Sequence, residues 1–123
     1  MSFAVARYQT SKVETASPAQ LVVALYDGAV RFLKEAIERD ARRDIAGRGE
    51  ALGRAHAIVS ELQVTLDYDR NPTLCTQLFG LYDYVLHCIR EATIQGDAQK
   101  VAPAIGVLES LRSAWSTLAR GGP

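Results

Sequence analysis

Ser17 and Pro18 fix where the first helix of this chain begins. The Ser17 hydroxyl can accept from the first free backbone N–H groups, and Pro18 at the first helical position gives up a donor that has no partner there anyway. Gln20, three residues after the cap, can reach back and close a capping box. Leu21, Leu25, Phe32 and Ala36 then recur at helical spacing, with Val22, Tyr26, Leu33 and Ile37 widening the stripe. The spacing predicts a long amphipathic helix from Pro18 to about Arg42, with one face too apolar to remain in water.

Three further helices follow, and no segment alternates as a strand would. The second is predicted from Asp44, a plausible cap, to about Leu66, with Leu52, Ala55, Ile58, Val59, Leu62 and Leu66 as its core stripe. Gly47, Gly49 and Gly53 each weaken it by up to ~1 kcal/mol relative to Ala, so its start should fray or bend. Asp67 to Pro72 reads as a loop because it is polar and ends in Asn71-Pro72. The third helix is expected from Thr73 to Gln95, with Gly96 ending it. Asp97 can cap the fourth, whose stripe is Val101, Ile105, Leu108, Leu111, Trp115 and Leu118. Pro103 predicts a kink there, or a helix that starts near it. Short loops between long helices favour antiparallel neighbours, so the expected fold is all-α, an antiparallel up-and-down four-helix bundle. Residues 17–120 would form the bundle and residues 1–16 an N-terminal arm.

The third helix carries the argument for binding. From Leu74 to Ile89 its apolar residues include Leu78, Phe79, Leu81, Tyr82, Tyr84, Val85 and Leu86, and the only charge is Asp83. That reads as a helix apolar nearly all round, more than a bundle core can cover. Three covers fit: the arm folded back, a second copy, or an amphipathic helix from another protein laid into a groove. The arm offers anchors at Phe3, Val5, Tyr8 and Val13; a solvated terminus with stray apolar residues is the plainer reading. The candidate contact residues are Val5, Tyr8, Phe79, Tyr82, Tyr84, Val85 and Leu86.

Composition narrows the partner. The 123 residues suffice for one domain with one core, and the formal net charge is zero, which argues against a broad grip on nucleic acid. No apolar run approaches the ~20 residues that span a bilayer, so no membrane insertion is expected. Arg7, Gln9, Lys12 and Glu14 interrupt any signal-peptide-like block, which points to the cytoplasm. Cys75 and Cys88 would lie about 20 Å apart along one helix, too far for an internal bridge. No cofactor or metal is expected.

Several of these segments resemble the flagellar secretion chaperone family, FliS. Ser17-Pro18, Leu21 and Leu25-Tyr26-Asp27-Gly28-Ala29 are similar to its opening helix. Gly49-Glu50-Ala51-Leu52, Ile58-Val59-Ser60-Glu61-Leu62 and Leu66-Asp67 are similar to its second. Leu78, Leu81-Tyr82-Asp83-Tyr84-Val85 and Glu91-Ala92 match its third, and Gly96-Asp97, Leu108, Leu111 and Ala114-Trp115 its fourth. The resemblance spans nearly all of residues 5–118. It implies a non-enzymatic cytoplasmic chaperone whose bundle is wrapped by the C-terminal region of flagellin, preventing premature polymerisation and aiding type III export, with a displaceable arm. It leaves open an export-gate protein or co-chaperone as second partner, and a homodimer of the free chain.

An enzyme is the weaker reading. Neither His56 nor His87 has the glutamate three residues earlier that a di-iron bundle needs. A histidine phosphotransfer bundle is the closer rival, through His56 on the second helix. Val59 and Ser60 stand where that class carries a Lys-Gly pair.

Overall fold

The computed structural model describes residues 17–121. Regular structure within them consists of helices α1 (Pro18–Ala41), α2 (Ile45–Val64), α3 (Pro72–Gln95) and α4 (Ala102–Ala119), with a 3-10 turn (Ala98–Val101) leading into α4.

Local chemistry sets each boundary. Ser17 Oγ accepts the Gln20 N–H at 3.2 Å and Gln20 Oε1 accepts the Ser17 N–H at 2.7 Å, so the capping box is complete. Asp44 caps α2 by accepting the Gly47 N–H at 2.9 Å. A Cβ on Gly47 would sit 2.3 Å from Asp44 Oδ2, so glycine is what lets that cap close. With this cap, α2 runs unbroken from Ile45 despite its three glycines, rather than fraying at its start. It ends at Val64, and Leu66 beyond it still packs partly buried on the core.

The loop reading holds for residues 67–71, and Pro72 alone moves from loop to helix. Asn71 Oδ1 accepts the Leu74 N–H at 3.1 Å and Pro72 is the first residue of α3, so the same dipeptide that reads as a break starts a helix. Gly96 ends α3 in the left-handed region at φ 64°, where an L side chain is strained. Asp97 caps only the 3-10 turn, through the Gln99 N–H at 3.0 Å. Pro103 then falls in the first turn of α4, where it is tolerated, so the helix starts beside it and does not kink through it.

The helices form an antiparallel bundle. α1 packs broadly on α2 and α4, whereas α3 rests on α2 and the 3-10 turn and shares little with α4. Leu33, Leu52, Val59, Val85, Val101 and Leu108 are fully buried in the shared core. Each such side chain contributes roughly 1.5–3 kcal/mol against the entropy of ordering the chain. Across the core diagonal, the buried Tyr26 and Tyr82 hydroxyls share a 2.6 Å hydrogen bond. Burial pushes both phenols above their ordinary pKa, so they stay protonated at any physiological pH.

That pairing makes a thermodynamic prediction. Tyr26→Phe or Tyr82→Phe alone strands one hydroxyl in the core and should cost about 1 kcal/mol. The double variant Tyr26→Phe/Tyr82→Phe should recover most of that loss. Urea denaturation of the four proteins measures the coupling, and strictly additive losses would contradict a mutually dependent pair.

One end of the bundle is clamped. Asp40 on α1 accepts Arg48 of α2 at 2.9 Å through Oδ1, and the Ala98 N–H at 2.9 Å through Oδ2. Arg48 also donates to the Gly96 carbonyl at 3.1 Å, so one network joins all the elements meeting there. The Ala98 N–H, then the Arg48 guanidinium, hold the Asp40 carboxyl below its ordinary pKa. A carboxyl depressed on folding stabilises fully above its unfolded pKa, near 4, and loses that stabilisation as pH falls through its folded value. Asp40→Asn should therefore flatten the acid limb of a stability-versus-pH curve below about pH 4. Denaturation at stepped pH checks this; an unchanged acid limb would remove Asp40 from the account.

Candidate protein-docking surface

α3 presents its side chains in three sectors. Leu78, Tyr82, Val85 and Ile89 lie on one line and are buried, joined by Cys75, Leu86, Cys88 and Ala92. Tyr82, Val85 and Leu86 thus belong to the bundle interior. Of the α3 residues read from sequence as contacts, Phe79 and Tyr84 reach the surface, each 44% exposed. Val5 and Tyr8 lie outside the described residues.

The opposite sector corrects the picture of a helix apolar nearly all round. Thr76, Gln77, Gly80, Asp83 and His87 are all exposed, and their spacing draws a polar crest along the outside of α3. Counting apolar residues across Leu74–Ile89 hides this crest, because its members are few and partly uncharged. Between core and crest run the two flanks, and these hold the uncovered apolar surface.

On the α2 side, the flank carries Phe79 and Ile94, the latter 77% exposed. Gln63 of α2 donates to the Phe79 carbonyl at 3.3 Å, tying the flank to its neighbour. Further along, Leu52, Gly49, Gly53 and His56 of α2 face Ile89, Arg90, Thr93 and Ile94 of α3 across a shallow groove. Gly49 and Gly53 have open space where a Cβ would be. On the other flank, Leu81 follows Leu74 at the same helical phase, and both are partly exposed. That flank faces the loose α3–α4 seam, and an apolar cleft opens at its end between Val22, Leu66, Leu74, Leu78, Tyr82 and Trp115. The cleft lies at the end of the bundle where Ser17 starts α1.

Leu74, Leu81 and Ile94 were missing from the sequence-based contact set. Ile94 lies beyond the apolar window used to judge α3, and its phase relative to Asp83 and His87 is the signal that would have placed it outside. Tyr84 sits at the crest margin, where the neighbouring Cys88 thiol one turn on raises the phenol pKa.

The histidines and cysteines have other settings. His56 is half-buried in the α2–α3 groove with Nδ1 3.3 Å from Ser60 Oγ; burial, then the charge of Arg90, pushes its pKa down. Cys75 and Cys88 are buried free thiols, and Cys75 Sγ donates to the Asp67 carbonyl at 3.2 Å. Among the described residues, no helix is long and apolar enough to cross a membrane.

Known proteins resemble this chain over most of its length. A family model described as flagellar protein FliS matches residues 1–121. The flagellar secretion chaperone FliS of Salmonella typhimurium is 34% identical over 109 residues, covering 88% of this chain and 81% of that protein. The Bacillus subtilis protein of the same name is 32% identical over 108 residues, covering 88% and 80%. A solved structure described as a flagellar chaperone from bacteria superposes with a TM-score of 0.80 over 96% of each chain, at 21% identity, and shows the same fold. The phosphotransfer alternative finds no support in any of these relatives. The chain belongs to the FliS family of flagellar secretion chaperones, a non-enzymatic family.

Proposed function

We propose that this chain is a cytoplasmic export chaperone that holds the C-terminal segment of flagellin against α3, keeping it from polymerising before type III secretion. The observation that carries this reading is the pair of apolar flanks left uncovered beside the α3 crest, at Phe79 and Ile94 on one side and Leu74 and Leu81 on the other. Two flanks separated by a polar crest suit an amphipathic segment that wraps the helix better than a globular partner. A client that folds on binding spends about 2–5 kcal/mol on ordering, which burial of these flanks and of its own apolar face offsets.

In the same reading, the arm of residues 1–16 serves as a displaceable cover, with Val5 and Tyr8 as its anchors. Its attachment at Ser17, beside the apolar cleft at the bundle's end, supports that role. An export-gate protein or co-chaperone would then engage a surface that the client leaves free.

The test is a calorimetric titration of the full-length chain with a peptide of the flagellin C-terminal segment, paired with circular dichroism of the mixture. Saturable binding near one to one, with helicity above the sum of the parts, is expected. No saturable binding would overturn the proposal. Deleting residues 1–14 should leave the bundle folded while changing the affinity, and an unchanged affinity would remove the arm from the mechanism.

A further inference from the structure

Arg90 is exposed on the α3 side of the α2–α3 groove, and it takes part in no ion pair among the described residues. Arg39, Arg48, Arg54 and Arg112 each hold a carboxylate. None of the groove's lining residues is acidic. Asp83 lies on the same flank, but about 10 Å of helix rise keeps it from Arg90. Glu50 of α2 belongs to the α1 side of that helix, where it holds Arg54 at 2.6 Å.

His56 lines the same groove from α2. Arg90 is the charged group that α3 turns toward it, its own helix offers the uncharged Ser60, and α1 and α4 contribute no residue to this groove. Burial, then the Arg90 charge, hold the imidazole below its ordinary pKa, so it is neutral above pH 7. The remaining lining is apolar or small. Leu52, Ile89 and Ile94 supply the apolar part, and Gly49 and Gly53 keep the α2 wall low.

That apolar part suits one face of an amphipathic helix. The polar part has a single sign. A helix laid here with nothing acidic facing Arg90 would take water from a guanidinium and leave it without a partner. A helix with a carboxylate at that point completes the apolar and the polar halves of the groove together.

We propose that the α2–α3 groove is an acid-reading subsite, in which Arg90 pairs with one carboxylate on a helical turn of the client and His56 adds a second positive charge when protonated. The proposal rests on the chaperone reading and adds which kind of client residue is recognised. Arg90 is thereby a specificity-determining residue, because a client with an amide or a lysine at that point loses the pairing. Binding also acquires a pH dependence. At pH 7.5 His56 is neutral and Arg90 acts alone. Toward pH 5.5 a bound carboxylate favours the protonated imidazole, so proton and client each strengthen the other's binding. An ordinary client carboxylate stays ionised across that window.

Calorimetric titration of the full-length chain with the flagellin C-terminal peptide tests this as a double-mutant cycle. The peptide is used unmodified and with each acidic residue in turn replaced by its amide, against wild type and Arg90→Gln. Arg90→Gln should weaken the unmodified peptide about 3- to 5-fold, the range of a partly exposed ion pair. One amide-substituted peptide should lose as much against the wild type, and nothing further against Arg90→Gln. Arg90→Glu should regain affinity for a peptide with lysine at that one position. Wild-type affinity for the unmodified peptide should rise about 2- to 3-fold from pH 7.5 to 5.5, and His56→Gln should remove the rise. Circular dichroism matching the wild type establishes that these changes leave the fold intact.

Additive losses at every acidic position, or an Arg90→Gln protein that binds as the wild type does, would overturn the subsite and leave the chaperone reading in place. No rise in the wild type, or one that survives His56→Gln, would overturn the part given to His56. A peptide that binds neither wild type nor variant would overturn the chaperone reading and the subsite together.

Discussion

Val85→Glu is expected to unfold the bundle, whereas Leu81→Glu, one turn earlier on the same helix, is expected to leave it folded. Val85 is completely buried. A carboxylate there has no partner, and several kcal/mol of desolvation fall on a domain whose whole stability is about 5–15 kcal/mol. Protonating the glutamate instead would spare part of that cost but leave a larger polar group in a space fitted to valine. Leu81 is 39% exposed, so a glutamate at that position reaches water by rotating its side chain. Its consequence is functional: a charge on the α4-side flank should abolish flagellin binding while the urea midpoint shifts little. Circular dichroism, denaturation and peptide titration on the two variants separate the outcomes. A cooperatively folded Val85→Glu protein would show that the core has been drawn on the wrong side of α3.

Phe79→Ala and Tyr84→Ala should each weaken flagellin binding by roughly 10- to 30-fold, with folding stability changed by no more than about 0.5 kcal/mol. Both rings are nearly half in water, so truncation opens no sealed cavity. Large aromatic side chains at a flank edge nevertheless dominate the energetics of a docked helix, because the partner completes their burial. Matched titrations at constant temperature and salt measure both effects. Unchanged affinity in both variants would move the client away from the crest and its margins.

The helices were legible because their ends are written in short-range chemistry. Ser17 with Gln20, Asp44 and Gly96 all do what their residue types dictate. The loop before α3 was legible too, and only Pro72 fell one residue out, because Asn-Pro serves both as a breaker after α2 and as cap and first residue of α3. The core line of α3 was also legible, since Leu78, Tyr82, Val85 and Ile89 follow helical phase. The surface was not. Residue type alone puts Tyr82, Val85 and Leu86 on the same footing as Phe79 and Tyr84, and what separates them is how the other helices pack against α3, with Gln63 and Leu52 of α2 facing it. A polar crest of threonine, glutamine, glycine and histidine is faint in composition, yet it divides α3 into flanks.

Trp115 gives the molecule a built-in optical probe. It is the only tryptophan in the chain, and it stands half-buried at the lip of the cleft that Tyr82 also lines. Its emission colour therefore depends on whether water, chain or client fills the space over Tyr82. The Asp40–Arg48 clamp lies at the far end of the bundle, outside the indole's surroundings. Light from this one residue distinguishes events at the open end from events at the closed one, with no dye attached and no residue altered.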